Sequence, residues 1–148
     1  MKRIITTLFA GLLFLQLSTA NAAEWLTDLP KAQAKAKAEK KLVLLDFTGS
    51  DWCPACKMLE RDVFSKKDFL NYAKTNLVLV LVDFPADKPQ SQAQKDANSA
   101  LAKQNQIEGY PTIIVMNAEQ KVLWKQLGYG GDGVKAFIAE LEKAKKKS

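Results

Sequence analysis

Two near-continuous apolar runs, LVLLDFT at 42–48 and NLVLVLVDF at 76–84, limit what this chain can fold into more than any other feature. Neither run alternates apolar with polar, so a strand built from it must be covered on both faces, as parallel strands between two helical layers are. The intervening sequence supplies those helices. Residues 29–40 follow an N-cap at Thr27 or Asp28, carry a proline in the first turn and continue in good helix formers. PACKMLERDVF places Met58, Leu59 and Val63 at helical spacing, and KKDFLNYAK adds a second short helix before the second run. The two runs are therefore expected to be parallel neighbours.

Downstream, PADKPQS at 85–91 reads as a loop, and the following segment to 106 carries Ala93, Ala97, Ala100 and Leu101 along one helical face. Such small residues predict close packing against a sheet. Residues 112–127 read as a hairpin, and a closing helix from 133 places Val134, Phe137, Ile138 and Leu141 at i, i+3, i+4 and i+7. The expected order is helix, strand, helix, helix, strand, helix, strand, strand, helix. That order defines an α/β fold with a central mixed β-sheet flanked by helices on both faces. A chain of 148 residues, 47% hydrophobic, holds one such domain with a core of its own.

The first 22 residues open with Lys2 and Arg3, run apolar from Leu8 to Leu17 and end in Ala20-Asn21-Ala22. This is the pattern of a secretory signal peptide cleaved after Ala22, with Ala23 as the neighbouring alternative. The apolar stretch is shorter than the roughly 20 residues of a spanning helix. The expected product is a mature domain of residues 23–148 in the periplasm of a Gram-negative bacterium, or secreted. Cleavage removes two cations and no acid, lowering the formal charge of +6 by two. The remaining lysines are scattered apart from the tail, with no basic stripe interleaved with aromatics, so nucleic acid is not an expected partner. No cofactor is implied, and a monomer is expected.

The chain has two cysteines, Cys53 and Cys56, and no histidine. The lack of histidine excludes Cys-His and Ser-His catalysis and leaves a zinc site short of ligands. An exported address permits disulfides. A bridge between Cys53 and Cys56 closes too small a loop to contribute much unfolded-state entropy, so a structural staple explains the pair poorly. Residues i and i+3 of a first helical turn stand at the separation a disulfide tolerates. Pro54 suits the first helical position, which puts Cys53 at the helix N-terminus, where unpaired amides favour its thiolate. Cys56, one turn in, is expected to be more buried and protonated. Such a pair exchanges disulfides: Cys53 attacks and Cys56 resolves.

Resolution needs a proton acceptor, and Asp46, the one acid inside LVLLDFT, is the candidate. A solvent-facing strand-end acid and a hydrogen-bonded structural acid are the other readings of Asp46. Lys57 either tunes the local field or is a solvated helix residue; Trp52 either shields the cysteines and offers a partner surface or simply packs. Two different classes of function also stay open, a Cu(I) site on the two thiolates and a binding protein without catalysis.

LLDFTGSDWCPACKMLE, followed by VDFP, GYPT and a terminal amphipathic helix, resembles the thioredoxin superfamily over nearly the whole mature chain. Within it, the pattern is similar to exported bacterial thioredoxin-like proteins and to the C-terminal domain of the transmembrane reductant DsbD. The resemblance implies a thioredoxin fold, protein thiols and disulfides as partners, and a membrane-embedded electron donor. It also implies a cis peptide before Pro111, which with Tyr110 and Trp52 would bind an extended substrate beside the cysteines. The loop 128–133 resembles the family's glycine-containing loop at the active site. One more residue separates Asp46 from Cys53 than in ordinary thioredoxins, and the segment 83–106 is longer. Reductase, oxidase and isomerase all share this pattern, and the potentials span about −270 to −120 mV. Pro54-Ala55 lacks the histidine of strongly oxidising relatives, which favours a reductant or electron relay.

Overall fold

The computed structural model describes residues 23–148. In chain order they form β1 (Trp25–Leu26), α1 (Leu29–Glu39), β2 (Leu42–Thr48), α2 (Pro54–Leu59), α3 (Lys67–Asn76), β3 (Leu77–Asp83), α4 (Gln92–Gln104), β4 (Thr112–Met116), β5 (Val122–Leu127) and α5 (Gly133–Lys145), with one π-helical turn, Glu60–Phe64, continuing α2. The signal-peptide expectation falls on residues outside this description.

The two apolar runs are parallel neighbours at the centre of a five-stranded sheet ordered β1-β3-β2-β4-β5, in register from Leu42 opposite Leu77 to Thr48 opposite Asp83. β4 joins the other side of β2 antiparallel, and β5 completes the hairpin, with a bulge at Val115/Met116. Every residue of β2 is buried. Leu42 and Leu44 pack toward α3, α5 and the π turn, among Val63, Phe64, Phe69, Phe137 and Leu141. Val43, Leu45 and Phe47 point the other way, against Leu29, Ala32 and Ala36 of α1. By strand alternation, Asp46 shares the face of Leu42 and Leu44, where α2 lies.

Three features depart from the sequence reading. β1 is a two-residue parallel strand beside β3, too short for any periodicity to reveal. The π turn accommodates two adjacent buried side chains, Val63 and Phe64, which straight α-helical spacing from Leu59 would splay apart. The third concerns α4. Its alanine stripe does not pack tightly on the sheet: Ala93, Ala97 and Ala100 are exposed and line an open groove against the start of α1. The helix is held instead by Asn98, its one buried residue, whose side-chain amide donates to the Asp83 carbonyl at 2.8 Å. Leu101 and Ala102 are partly buried beside it. One polar anchor at the end of β3 replaces the expected small-residue face.

Candidate active site

β2 ends at Thr48, and the chain turns through 49–53 into α2, so Cys53 stands at the carboxyl edge of the sheet, where open α/β folds form sites. Cys53 is the N-cap of α2, with Pro54 in its first turn. Its Sγ accepts from the Cys56 amide at 3.2 Å, a donor the helix itself leaves unpaired. Cys53 and Cys56 form a disulfide with their Cα atoms 5.3 Å apart. The expected difference in burial is absent: the cysteines are 4% and 5% exposed. What distinguishes them is their surroundings. Cys53 caps the helix, whereas Cys56 lines a cavity of about 420 Å³ behind it.

Asp46 lines the same cavity and is 6% exposed, so the solvent-facing reading is overturned. Its Oδ1 is buried with no protein hydrogen-bond partner. Burial, reinforced by the carboxylates of Glu60 and Asp83, raises its pKa to about 8. Glu60 shares the cavity and is itself raised by desolvation. Lys57, Arg61 and Lys88 also line it. Lys57 is exposed there, consistent with both sequence readings of it.

Trp52 is 48% exposed. Its indole lies over Gly49, where any Cβ would strike the ring, and its Nε1 donates to the Phe84 carbonyl at 2.8 Å. Tyr110 meets Trp52 edge-on at 5.8 Å and packs against Phe84 at 5.2 Å. The Tyr110–Pro111 peptide is cis, and the Tyr110–Trp52 contact sets the turn before β4 beside the residue preceding Cys53. Thr112 Oγ1 donates to the Gly109 carbonyl at 2.7 Å, and the Gly128 amide to the Pro111 carbonyl at 2.7 Å. Gly128 adopts a φ of 76°, open to glycine without strain, and Gly131 approaches Met58 of α2. The glycine loop thus reaches both the Pro111 turn and the cysteine helix.

Several residues of the site carried no mark in the sequence. Ser50 donates through its amide and hydroxyl to the Asp83 carboxylate, and Asp51 accepts from the amides of Ala86, Asp87 and Lys88. These partners are 33 to 37 residues apart in the chain, beyond any local pattern. Glu60 stood only as the end of the recognised motif.

A helix-capping cysteine and its disulfide partner one turn on bring together the two sulfurs that thiol–disulfide exchange requires. The thioredoxin-like domain model matches residues 29–145. The chain belongs to the thioredoxin-like family. It is a thiol–disulfide oxidoreductase of the Dsb type, and its relatives bear that out. It is 31% identical over 116 residues, 78% of this chain and 69% of the relative, to the disulfide bond reductase DsbH of Chlamydia pneumoniae. It is 37% identical over 109 residues, 74% of this chain, to the thiol:disulfide interchange protein DsbD of Klebsiella pneumoniae, of which it spans only 17%. Among solved structures, a DsbH oxidoreductase superposes with a TM-score of 0.76 at 30% identity, over 89% of this chain and 92% of that one. The oxidised C-terminal domain of Neisseria meningitidis DsbD shares the fold, with a TM-score of 0.60 at 20% identity over 82% of this chain and 99% of that one. Among the described residues no helix is long and apolar enough to cross a membrane.

Proposed function

We propose that this chain is an exported reductase or electron relay acting on protein disulfides. The reading is carried by Asp46, an unpaired buried acid sharing a cavity with Cys56, behind a Cys53 that caps its helix. In the reduced enzyme, the Cys53 thiolate attacks a partner disulfide; a Cys53–partner bond forms and one partner thiolate leaves. Cys56 gives its proton to the Asp46 carboxylate and attacks Cys53 Sγ, releasing the second partner sulfur. Two electrons pass to the partner, and the enzyme keeps the Cys53–Cys56 disulfide. A dithiol donor, membrane-embedded in this reading, returns the electrons by the same exchange in reverse.

Trp52, Tyr110 and Pro111 supply the substrate surface, an aromatic shelf next to the attacking sulfur. Direction toward reduction is supported by the absence of histidine between the cysteines and by the 31% identical relative named a disulfide bond reductase. Export is supported by the charged, apolar and small-residue sequence of 1–22.

Insulin reduction driven by dithiothreitol tests the exchange step: Cys53→Ser should fall to the uncatalysed rate, and Cys56→Ser should accumulate mixed disulfides with exported proteins. Retained turnover in Cys53→Ser, or no captured partner, would sink the proposal. Equilibration with glutathione tests direction: a potential below about −250 mV marks a reductant, and one near −130 mV an oxidant.

A further inference from the structure

Three consecutive residues before Cys53 are tied to one distant stretch of chain. Ser50 bonds Asp83 through its amide at 3.0 Å and its hydroxyl at 2.6 Å, and Trp52 Nε1 bonds the Phe84 carbonyl at 2.8 Å. Between them, the Asp51 carboxylate accepts from three successive amides, Ala86 at 2.9 Å, Asp87 at 2.8 Å and Lys88 at 3.1 Å. Lys88 Nζ closes the circuit on Ser50 Oγ at 2.9 Å. Residues 86–88 are themselves exposed and carry no side chain into the core. The grip of Asp51 on their amides, with the Lys88–Ser50 bond, ties this loop to the cysteine loop.

We propose that Asp51 is a positioning residue for substrate recognition. By holding residues 86–88 against the cysteine loop, it makes them one wall of the shelf formed by Trp52, Phe84 and Tyr110, against which an extended, disulfide-bearing segment of a partner polypeptide docks. This rests on the exchange reading above. Phe84, which begins the loop, is also the ring against Tyr110 and the carbonyl that fixes the Trp52 indole, so a shift of the loop is carried into the shelf. A small disulfide needs only Cys53 and does not span the shelf, whereas a polypeptide must lie along it. Asp51 thus bears on discrimination between the two.

Steady-state reduction of insulin driven by dithiothreitol, and stoichiometric reduction of the small aromatic disulfide DTNB by pre-reduced protein freed of dithiothreitol, whose second-order rate constant stands for kcat/KM, test this with the full mature chain. Asp51→Ala should raise KM for insulin about tenfold with kcat changed less than about twofold, and lower the insulin-to-DTNB ratio of kcat/KM about tenfold. Asp51→Asn, which keeps one acceptor oxygen, should fall between. Ala86→Pro removes one of the three donors without touching Asp51, and should move the same ratio in the same direction. A purely structural Asp51 would lower the melting temperature and leave the ratio in place; that result, or an equal loss on both substrates, overturns the assignment while the exchange reading stands. A wild-type protein without Cys53-dependent turnover would remove both.

Discussion

Asp46 and Cys56 reach one cavity from opposite directions, Asp46 from the middle of a wholly buried strand and Cys56 from the first turn of the helix above it. The carboxyl is desolvated and its Oδ1 unpaired, so the charged form is disfavoured in the folded protein, and its pKa stands at about 8 against an ordinary 3.8.

That displacement makes the stability of the oxidised protein depend on pH. The folded state retains a proton on Asp46 that the unfolded chain releases above about pH 4, so unfolding sheds a proton between pH 4 and 8 and stability falls as pH rises through that window. Asp46→Asn carries no such proton. Urea denaturation should show the variant gaining on wild type up to about pH 8, by a few kcal/mol at about 1.4 kcal/mol per unit of displacement, with the advantage vanishing near pH 4. A constant difference across the window would contradict the raised pKa.

The same substitution should act in the opposite sense on chemistry. Without a carboxylate to take the Cys56 proton, resolution of the Cys53 mixed disulfide should slow by about 100-fold, while the first attack by Cys53 is spared. Rapid quench with a labelled peptide disulfide separates the two steps. An undiminished second step would assign the proton to another group, Glu60 being the nearest alternative in the cavity.

Gly49 is buried under the Trp52 indole, with no room for a methyl group between them. Gly49→Ala should push the ring off its seat and break its bond to the Phe84 carbonyl, costing about 1–3 kcal/mol. Thermal melting gives the loss. A structure of the variant, or protection of the indole proton from exchange, shows whether the ring has moved; an unchanged melt and a fixed indole would refute the contact.

Asn98→Ala removes the one fully buried polar side chain of α4 and leaves the Asp83 carbonyl without that donor, although Gln90 Nε2 still reaches it at 3.2 Å. The expected loss is about 1–2 kcal/mol, and amide exchange should quicken across α4 before the rest of the fold. Ala97→Ser, on the exposed stripe, should cost less than about 0.5 kcal/mol. Equal effects at the two positions would contradict the polar anchoring of this helix.

Much of the architecture was legible because it depends on short-range chemistry. Apolarity on both faces of 42–48 and 76–84 requires cover on both sides, and the structure supplies it in the predicted parallel arrangement. Proline after Cys53 starts a helix there, and the apolar run from Thr112 forms β4, the first strand of the expected hairpin. Residue type and spacing picked out the cysteine pair and the candidate acid, whereas the Pro111 turn was marked by the resemblance to the thioredoxin superfamily.

The tertiary structure decided what depends on distance through space. A helical alanine stripe is compatible with burial, but α4 is held through Asn98 on the Asp83 carbonyl and through Leu101 and Ala102 against the core, while Ala93, Ala97 and Ala100 stay exposed. Cys53 and Cys56 are equally buried, and their difference lies in a helix cap on one side and an acid-lined cavity on the other. An aspartate in an apolar run has no pKa of its own until desolvation and the neighbouring carboxylates of Glu60 and Asp83 act on it. Asp51 carries no mark in the sequence; only folding brings the amides of Ala86, Asp87 and Lys88 to it across more than thirty residues, because backbone donors carry no sequence signature and their direction is set by the loop.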